Sequence, residues 1–287
     1  MTNQASAPPP PSVAFQGELG AYSEEGVMQF WNGRAVPVPR REFRDVARAV
    51  ETGETDYGLL PIENTLAGSV VGSYDALAAC EALHVVGETT VAIHHCVLAP
   101  PGAELGRMER VASHPVALAQ CARFLGERPR LHVEAAYDTA GAARAVAERG
   151  DVTAAAIAGR AAAARYALHI LAADIEDRPD NQTRFLAIAR APVQLEAGTP
   201  ARTALLLTTR NVPGALLRVL APLARHGINL STLQSRPTGE PWSYRFFVEM
   251  DHDAGDPGAL AALEEIRTVT ESLRVLGSCA RWGSSPV

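Results

Sequence analysis

From Val13 to Ala189, short apolar runs alternate with amphipathic stretches, and this alternation limits most strongly the folds open to the chain. Strands are expected at Val13 to Gln16, Asp56 to Ile62, Leu83 to Gly87, Val91 to Ala99, Arg110 to Ser113, Leu131 to Ala136, Thr153 to Ala158 and Thr183 to Ala189. Between several of them apolar residues recur three or four apart, as in Phe43, Val46, Ala47 and Val50, or Val116, Ala119 and Phe124 with Leu125, the spacing of one helix face. Strand-helix alternation argues for an α/β region with largely parallel sheets. Residues Arg190 to Arg202 carry two prolines and a glycine without periodicity and read as a linker. Beyond it the order is strand (Thr203 to Thr209), helix (Gly214 to His226), strand (Ile228 to Ser235), strand (Trp242 to Asp251), helix (Pro257 to Val269) and strand (Ser272 to Trp282). That βαββαβ order is the ferredoxin-like arrangement. A length of 287 residues agrees with roughly two domains.

The formal charge is −6, and all 26 basic residues are arginine. Without lysine there is no Schiff-base amine and no phosphate-loop lysine. A mildly acidic chain also lacks the basic footprint that nucleic acid or an anionic membrane requires, so neither is an expected partner. Cys80, Cys96, Cys121 and Cys279 are scattered without metal-ligand spacing, which suits a reducing cytoplasm. Met1 to Ser12 lack the basic start and apolar core of a signal peptide, and no apolar run approaches the roughly 18 residues of a membrane span.

Three expected strands end at residues that open a helix: Gly20 to Ser23, Ser113 to Pro115, and Asp138 with Thr139. In an α/β sheet such ends converge on a crevice, and free helix amides favour anions there. The turn Leu60 to Thr65 places Glu63 and Asn64 at a strand exit, and Asn181, Thr183 and Arg184 lead into the strand FLAIA. An arginine flanked by hydroxyl and amide groups can complete carboxylate recognition. His94, His95 and Cys96 invite a metal, but adjacent strand residues point to opposite faces, so no metal is expected. Arg40, Arg44 and Arg48, interspersed with acids, read as a solvated helix face.

The segments FQGELGAYSE, GLLPIENTLAGSV, SHPVALAQC, DTAGAA and NQTRF, in that order, make the chain resemble the prephenate dehydratases with a C-terminal ACT domain. The resemblance runs from about Val13 to Trp282. It implies a catalytic region of two α/β lobes around a cleft, similar to periplasmic binding proteins, over residues 13–190, a linker over 191–202, and an ACT domain over 203–282. It further implies conversion of prephenate to phenylpyruvate without a cofactor, feedback by L-phenylalanine, and a homodimer or homotetramer. The catalytic set carried over is Thr183, Arg184, Glu63 and Asn64, with Ser23, Ser113, His114, Gln120, Thr139, Asn181 and Phe185 around the substrate. The effector set is Asn211, Pro213, Gly214, Ala215, Leu216, Asn229, Leu233, Gln234, Ser235, Arg236 and Pro237. Val116, Tyr137 and Gln234 depart from the residues usual in the family.

Prephenate is a dianion that becomes aromatic as it loses carbon dioxide and water, so its enzyme has mainly to orient it and protonate the leaving hydroxyl. Arg184 is expected to grip a carboxylate, Thr183 to donate toward the leaving oxygen, and Glu63 to be the titratable group. Arogenate dehydration is the same chemistry on an aminated substrate. A non-catalytic amino-acid sensor is a different class, and the joint presence of Thr183, Arg184, Glu63 and Asn64 speaks against it. The linker suggests that a chain ending near Ala197 keeps activity but ignores phenylalanine.

Overall fold

The structure is a computed structural model that describes residues 9–281; Trp282 and the first eight residues of the stretch Met1 to Ser12 lie outside the described residues. Lobe 1 is built from β1 (Ser12–Gln16), α1 (Tyr22–Phe30), β2 (Val36–Arg40), α2 (Phe43–Glu51), β3 (Tyr57–Asn64), the short β4 (Gly68–Ser69), α3 (Val71–Ala79) and β5 (His84–Ala92). The chain then crosses to lobe 2, which holds β6 (Cys96–Ala99), β7 (Arg110–Ser113), α4 (Pro115–Gln120), α5 (Ala122–Gly126), β8 (His132–Ala135), α6 (Thr139–Arg149), β9 (Ala154–Ala158), α7 (Arg160–Tyr166) and β10 (His169–Ala172). It returns as β11 (Gln182–Ala189) before the third unit: β12 (Ala201–Thr208), α8 (Ala215–Arg225), β13 (Leu230–Pro237), β14 (Tyr244–Met250), α9 (Pro257–Val269) and β15 (Ser272–Ala280).

The sheet of lobe 1 has the order β2-β1-β3-β11-β5 and that of lobe 2 the order β10-β6-β9-β7-β8. Both are mixed rather than largely parallel. In lobe 1, β1 pairs in parallel with β2 and β3, but β11 is antiparallel to both neighbours. In lobe 2, β7 is parallel to β8 and β9, whereas β6 runs against β9 and β10. A chain that crosses between two sheets twice must bring strands back in reverse, which alternation alone does not reveal. The first crossing falls at 93–95, inside the single strand expected over Val91 to Ala99.

The third sheet has the order β13-β14-β12-β15, all antiparallel. One face packs Leu205, Leu207, Val248 and Met250 on Val219, Leu223, Leu263 and Ile266 of α8 and α9. Its other face enters the core of lobe 1, where Ala204, Leu206, Phe247, Leu276 and Cys279 meet Tyr74, Leu77, Val85, Leu186 and Ile188. Tyr74 and Phe247 touch edge to face at 4.7 Å between centroids. At Gly277 (φ +139°) an added Cβ would lie 2.4 Å from the Val85 carbonyl oxygen, so β15 approaches β5 as closely as only glycine permits. Between the end of β11 at Ala189 and the start of β12 at Ala201 lies the segment read as a linker, with β12 beginning before Arg202.

Candidate active site

The site is organised by one irregularity in β3. Along β11, Thr183, Phe185 and Ala187 alternate toward α1, while Arg184, Leu186 and Ile188 face α2, α3 and the third sheet. The pairing with β3 runs Ala187 to Leu59, Leu186 to Leu60 and Phe185 to Pro61, then skips Ile62 to pair Arg184 with Glu63 and Thr183 with Asn64. A bulge of this kind reverses the parity of the residues beyond it. Asn64 therefore joins Thr183 on the cleft side, and Glu63 joins Arg184 on the other.

From that pair a polar network spans the hinge between the lobes. Asn64 Nδ2 donates to Thr183 Oγ1 at 3.0 Å and to Asn181 Oδ1 at 2.8 Å. Asn64 Oδ1 accepts from the amides of Leu66 (3.0 Å) and Ala67 (2.8 Å), which fixes the orientation of the amide. Asn181 Nδ2 reaches Gln120 Oε1 at 3.0 Å, and His95 Nε2 meets the same oxygen at 2.9 Å. Tyr22 Oη lies 3.0 Å from His95 Nδ1 and donates to the His94 carbonyl at 2.7 Å. Burial lowers the pKa of His95, so the ring is neutral, with Nε2 donating to Gln120 Oε1, which also accepts from Asn181. Burial also holds the Tyr22 hydroxyl well above its usual value. Thr183 Oγ1 is an acceptor from Asn64, so its own O–H remains to donate. Tyr22 and His95 were not among the expected substrate residues; the signal available was only that a histidine sat at an apolar strand end.

The three expected helix starts are present. Pro115 opens α4 behind His114, whose Nδ1 accepts from the Val116 amide, and Asp138 caps α6 by accepting from Gly141. α1 begins at Tyr22 with no side-chain cap from Ala21. Burial raises the pKa of Asp138, opposed by the amides of Glu18, Gly141 and Thr139. The loop before α1 touches lobe 2: the Glu18 amide donates to Asp138 Oδ2 at 3.0 Å, and Tyr166 Oη donates to the Leu19 carbonyl at 2.6 Å. Ser23 is buried in the first turn of α1 and Thr139 is half-buried at the start of α6. Ser113 is fully buried, and its Oγ donates to the Ile157 carbonyl at 2.5 Å.

Three expected positions are corrected by these placements. Arg184 does not face the cleft: its guanidinium bonds to Glu88 at 3.0 Å and to Glu249 of the third sheet at 3.0 and 2.5 Å. Burial disfavours that charge, but Glu249 and Glu88 outweigh it and hold the guanidinium protonated above its usual range. Glu63, its registered neighbour, is exposed on the same far face. Phe185 is 1 % exposed and packs with Phe15, Leu59 and Val91 behind α1, so it is core.

In the third unit, Asn211, Pro213 and Gly214 form the turn before α8, with Gly214 at φ +76°, and Ala215 and Leu216 begin the helix. Asn229 Nδ2 donates to Asp251. On β13 the side chains alternate. Leu233, Ser235 and Pro237 are exposed, whereas Gln234 accepts from Ser69 Oγ at 2.9 Å and Arg236 pairs with both oxygens of Asp75 at 3.1 and 2.9 Å. Gln234 and Arg236 thus reach lobe 1 rather than the turn before α8, because the sheet is laid on that lobe.

His94 turns away from His95. With Asp174 and Glu176 it forms, among the described residues, a group of metal-type donors within 4.8 Å, beside a cavity of about 610 Å³ that also touches Arg123 and Arg160. Its oxygens are engaged: Arg160 bonds both oxygens of Asp174, and Glu176 accepts from the His94 ring and the His95 amide.

Two doubly connected α/β lobes meeting at a polar, amide-rich hinge, with a ferredoxin-like unit packed onto one of them, define a two-lobed cleft protein with an appended domain. The chain belongs to the prephenate dehydratase family, whose catalytic domain matches residues 13–193, followed by an ACT domain match over residues 203–268. Arogenate dehydratase 2 of Petunia hybrida is 40% identical over 282 residues, covering 93% of this chain and 71% of that protein. The structure of prephenate dehydratase in complex with L-Phe from Arthrobacter aurescens aligns with TM-score 0.89 and 32% identity, covering 96% of this chain and 92% of that one. A structure described as GqqA, a novel type of quorum quenching acylases, aligns with TM-score 0.86 and 34% identity over 95% of this chain and 98% of that one.

Proposed function

We propose that the cleft converts prephenate to phenylpyruvate, and that the ACT domain senses L-phenylalanine. The observation carrying the first half is Thr183: a hydroxyl held by Asn64 so that its proton is free to be offered, within the polar network at the hinge between the lobes. In the reaction the bond to the ring carboxylate breaks and its electron pair enters the ring. The ring C–O bond breaks toward oxygen, and one proton taken up completes the water. Thr183 donates a hydrogen bond to the departing oxygen, which is charge stabilisation where charge develops. With Arg184 turned away, His114 and Thr139, at the starts of α4 and α6, are the side chains that remain to receive the carboxylates.

The test is phenylpyruvate formation by the purified chain, with Thr183→Val lowering kcat by roughly a hundredfold or more. Near-normal turnover in a folded Thr183→Val protein removes the donor role. The similarity to an arogenate dehydratase supports a second substrate of the same class, decided by comparing kcat/KM on arogenate and prephenate. Against an acylase, Ser113 at the head of α4 is buried with its Oγ given to a carbonyl rather than to an imidazole. The complex of the Arthrobacter relative with L-Phe supports the effector. Exposed Val212, Leu217 and Leu233 around the effector segments support pairing with a second copy of the chain, and four free cysteines support a reducing cytoplasm.

A further inference from the structure

We propose that Glu249, in the ACT domain, is a positioning residue for the reaction: through Arg184 it holds the end of β11 on which Thr183 presents its hydroxyl. Glu249 is 1 % exposed, and both of its carboxylate oxygens accept from the Arg184 guanidinium. Arg184 and Thr183 are consecutive on β11, on opposite faces of the sheet, so one peptide unit links the ion pair to the cleft hydroxyl. β11 begins at Gln182, so Thr183 lies one residue inside the strand, next to the return crossing from lobe 2. Arg184 is the first charged anchor behind it.

The anchor belongs to a lattice that crosses the domain junction. Glu88 of β5 accepts from Arg184 at 3.0 Å and from Arg202 of β12 at 2.8 Å, and Arg202 continues to Asp251 at 3.3 Å. Thr232 of β13 donates to Glu249 Oε2 at 2.6 Å. Thr232 immediately precedes the effector segment Leu233 to Pro237, so the carboxylate that holds Arg184 is oriented by the strand expected to meet the effector. Buried charges tolerate little misalignment, because an unpaired one is costly. A small shift of β13 is thus passed to the guanidinium rather than absorbed, and an error of about 1 Å in a reacting group can cost on the order of a hundredfold in rate.

The inference rests on the prephenate reading only for its kinetic readout. In the full chain, Glu249→Gln keeps the shape and removes the charge. It is expected to lower kcat on prephenate about tenfold or more while KM changes by less than about threefold, the pattern of a group misplaced for the transition state. Glu249→Asp, which keeps the charge, recovers part of the loss. Asp75→Asn breaks a separate interdomain ion pair, that with Arg236, without touching β11, and leaves kcat unchanged. Hydrogen exchange of the peptide spanning Asn181 to Phe185 is faster in Glu249→Gln and unchanged in Asp75→Asn. Should Glu249→Gln fail to fold, Thr232→Val is read in the same way, with a loss of a few-fold. Wild-type kcat and exchange in the folded variant overturn the proposal, as does an equal loss in Asp75→Asn. A wild-type chain inactive on prephenate overturns the function instead, and exchange at β11 then decides the positioning role alone.

Discussion

Asn64 offers Thr183 an N–H and so leaves the Thr183 proton to be donated elsewhere, and the two amides from Leu66 and Ala67 keep Asn64 from turning over. Asn64→Asp replaces that donor with an acceptor that draws the Thr183 proton to itself. Turnover should drop by roughly tenfold or more in a steady-state phenylpyruvate assay, with the fold retained by circular dichroism. His95 carries a pH signature. Its folded pKa lies below the ordinary value of about 6.5, so the unfolded chain takes up a proton first as pH falls, and the native state loses stability from about pH 6.5 down to that lowered value. Above about 6.5 the residue contributes no slope. Thermal melts across that range should show a shallower decline in His95→Gln, and an unchanged slope would mean that another group titrates. Residue types legible in the sequence were Thr183, Asn64, Asn181 and Gln120, all of which meet in one network. The directions of Glu63, Arg184 and Phe185 were not legible, since a skipped residue in β3 leaves no mark on composition or periodicity.

Among the elements, the bulge at Ile62 and the close approach at Gly277 show how strand geometry places the chemistry. Gly277→Ala adds a Cβ against the Val85 carbonyl in a backbone conformation disfavoured for alanine. The expected cost is about 1–3 kcal/mol, seen as a lower melting temperature. Activity should fall with it if β15 and β5 separate, because Glu88 on β5 is part of the lattice that anchors Arg184. Most elements of the chain were readable: helix α9 falls on the expected residues, and β7 does as well. β2 and β10 were not expected, because β2 carries two prolines and β10 is a four-residue strand with little apolar alternation. A charge inside the apolar run FFVEM of β14 was the one sequence trace of Glu249.

At the scale of the whole molecule, the third sheet shares an apolar core with lobe 1 across the linker. A chain ending near Ala197 would uncover Leu186, Ile188, Val85 and Tyr74 and leave Glu88 and Arg184 without their partners in the third sheet. Each large apolar side chain left uncovered costs up to about 1.5–3 kcal/mol. The truncated chain is therefore expected to aggregate or to melt about 10 °C or more below the full chain, rather than to persist as an unregulated enzyme. Solubility and a thermal melt of the truncated protein test this. The proposed pairing of two copies is tested at the same scale: Leu217 is 70 % exposed on α8, and Leu217→Arg is expected to sediment as a smaller species than the unaltered chain, with turnover retained.

The amino-acid sequence by itself determined an α/β region, the βαββαβ unit and, through the ordered motifs, the family whose resemblance implied two lobes, because hydrophobic period, caps and motifs are local and survive in one dimension. Tertiary structure alone decided which face each motif residue serves. That choice depends on a bulge, a reversed strand and a second sheet laid on the first, and these are contacts between residues far apart in the chain. The same arginine that looked suited to a substrate carboxylate is held instead by two buried carboxylates of the protein, one of them in the ACT domain.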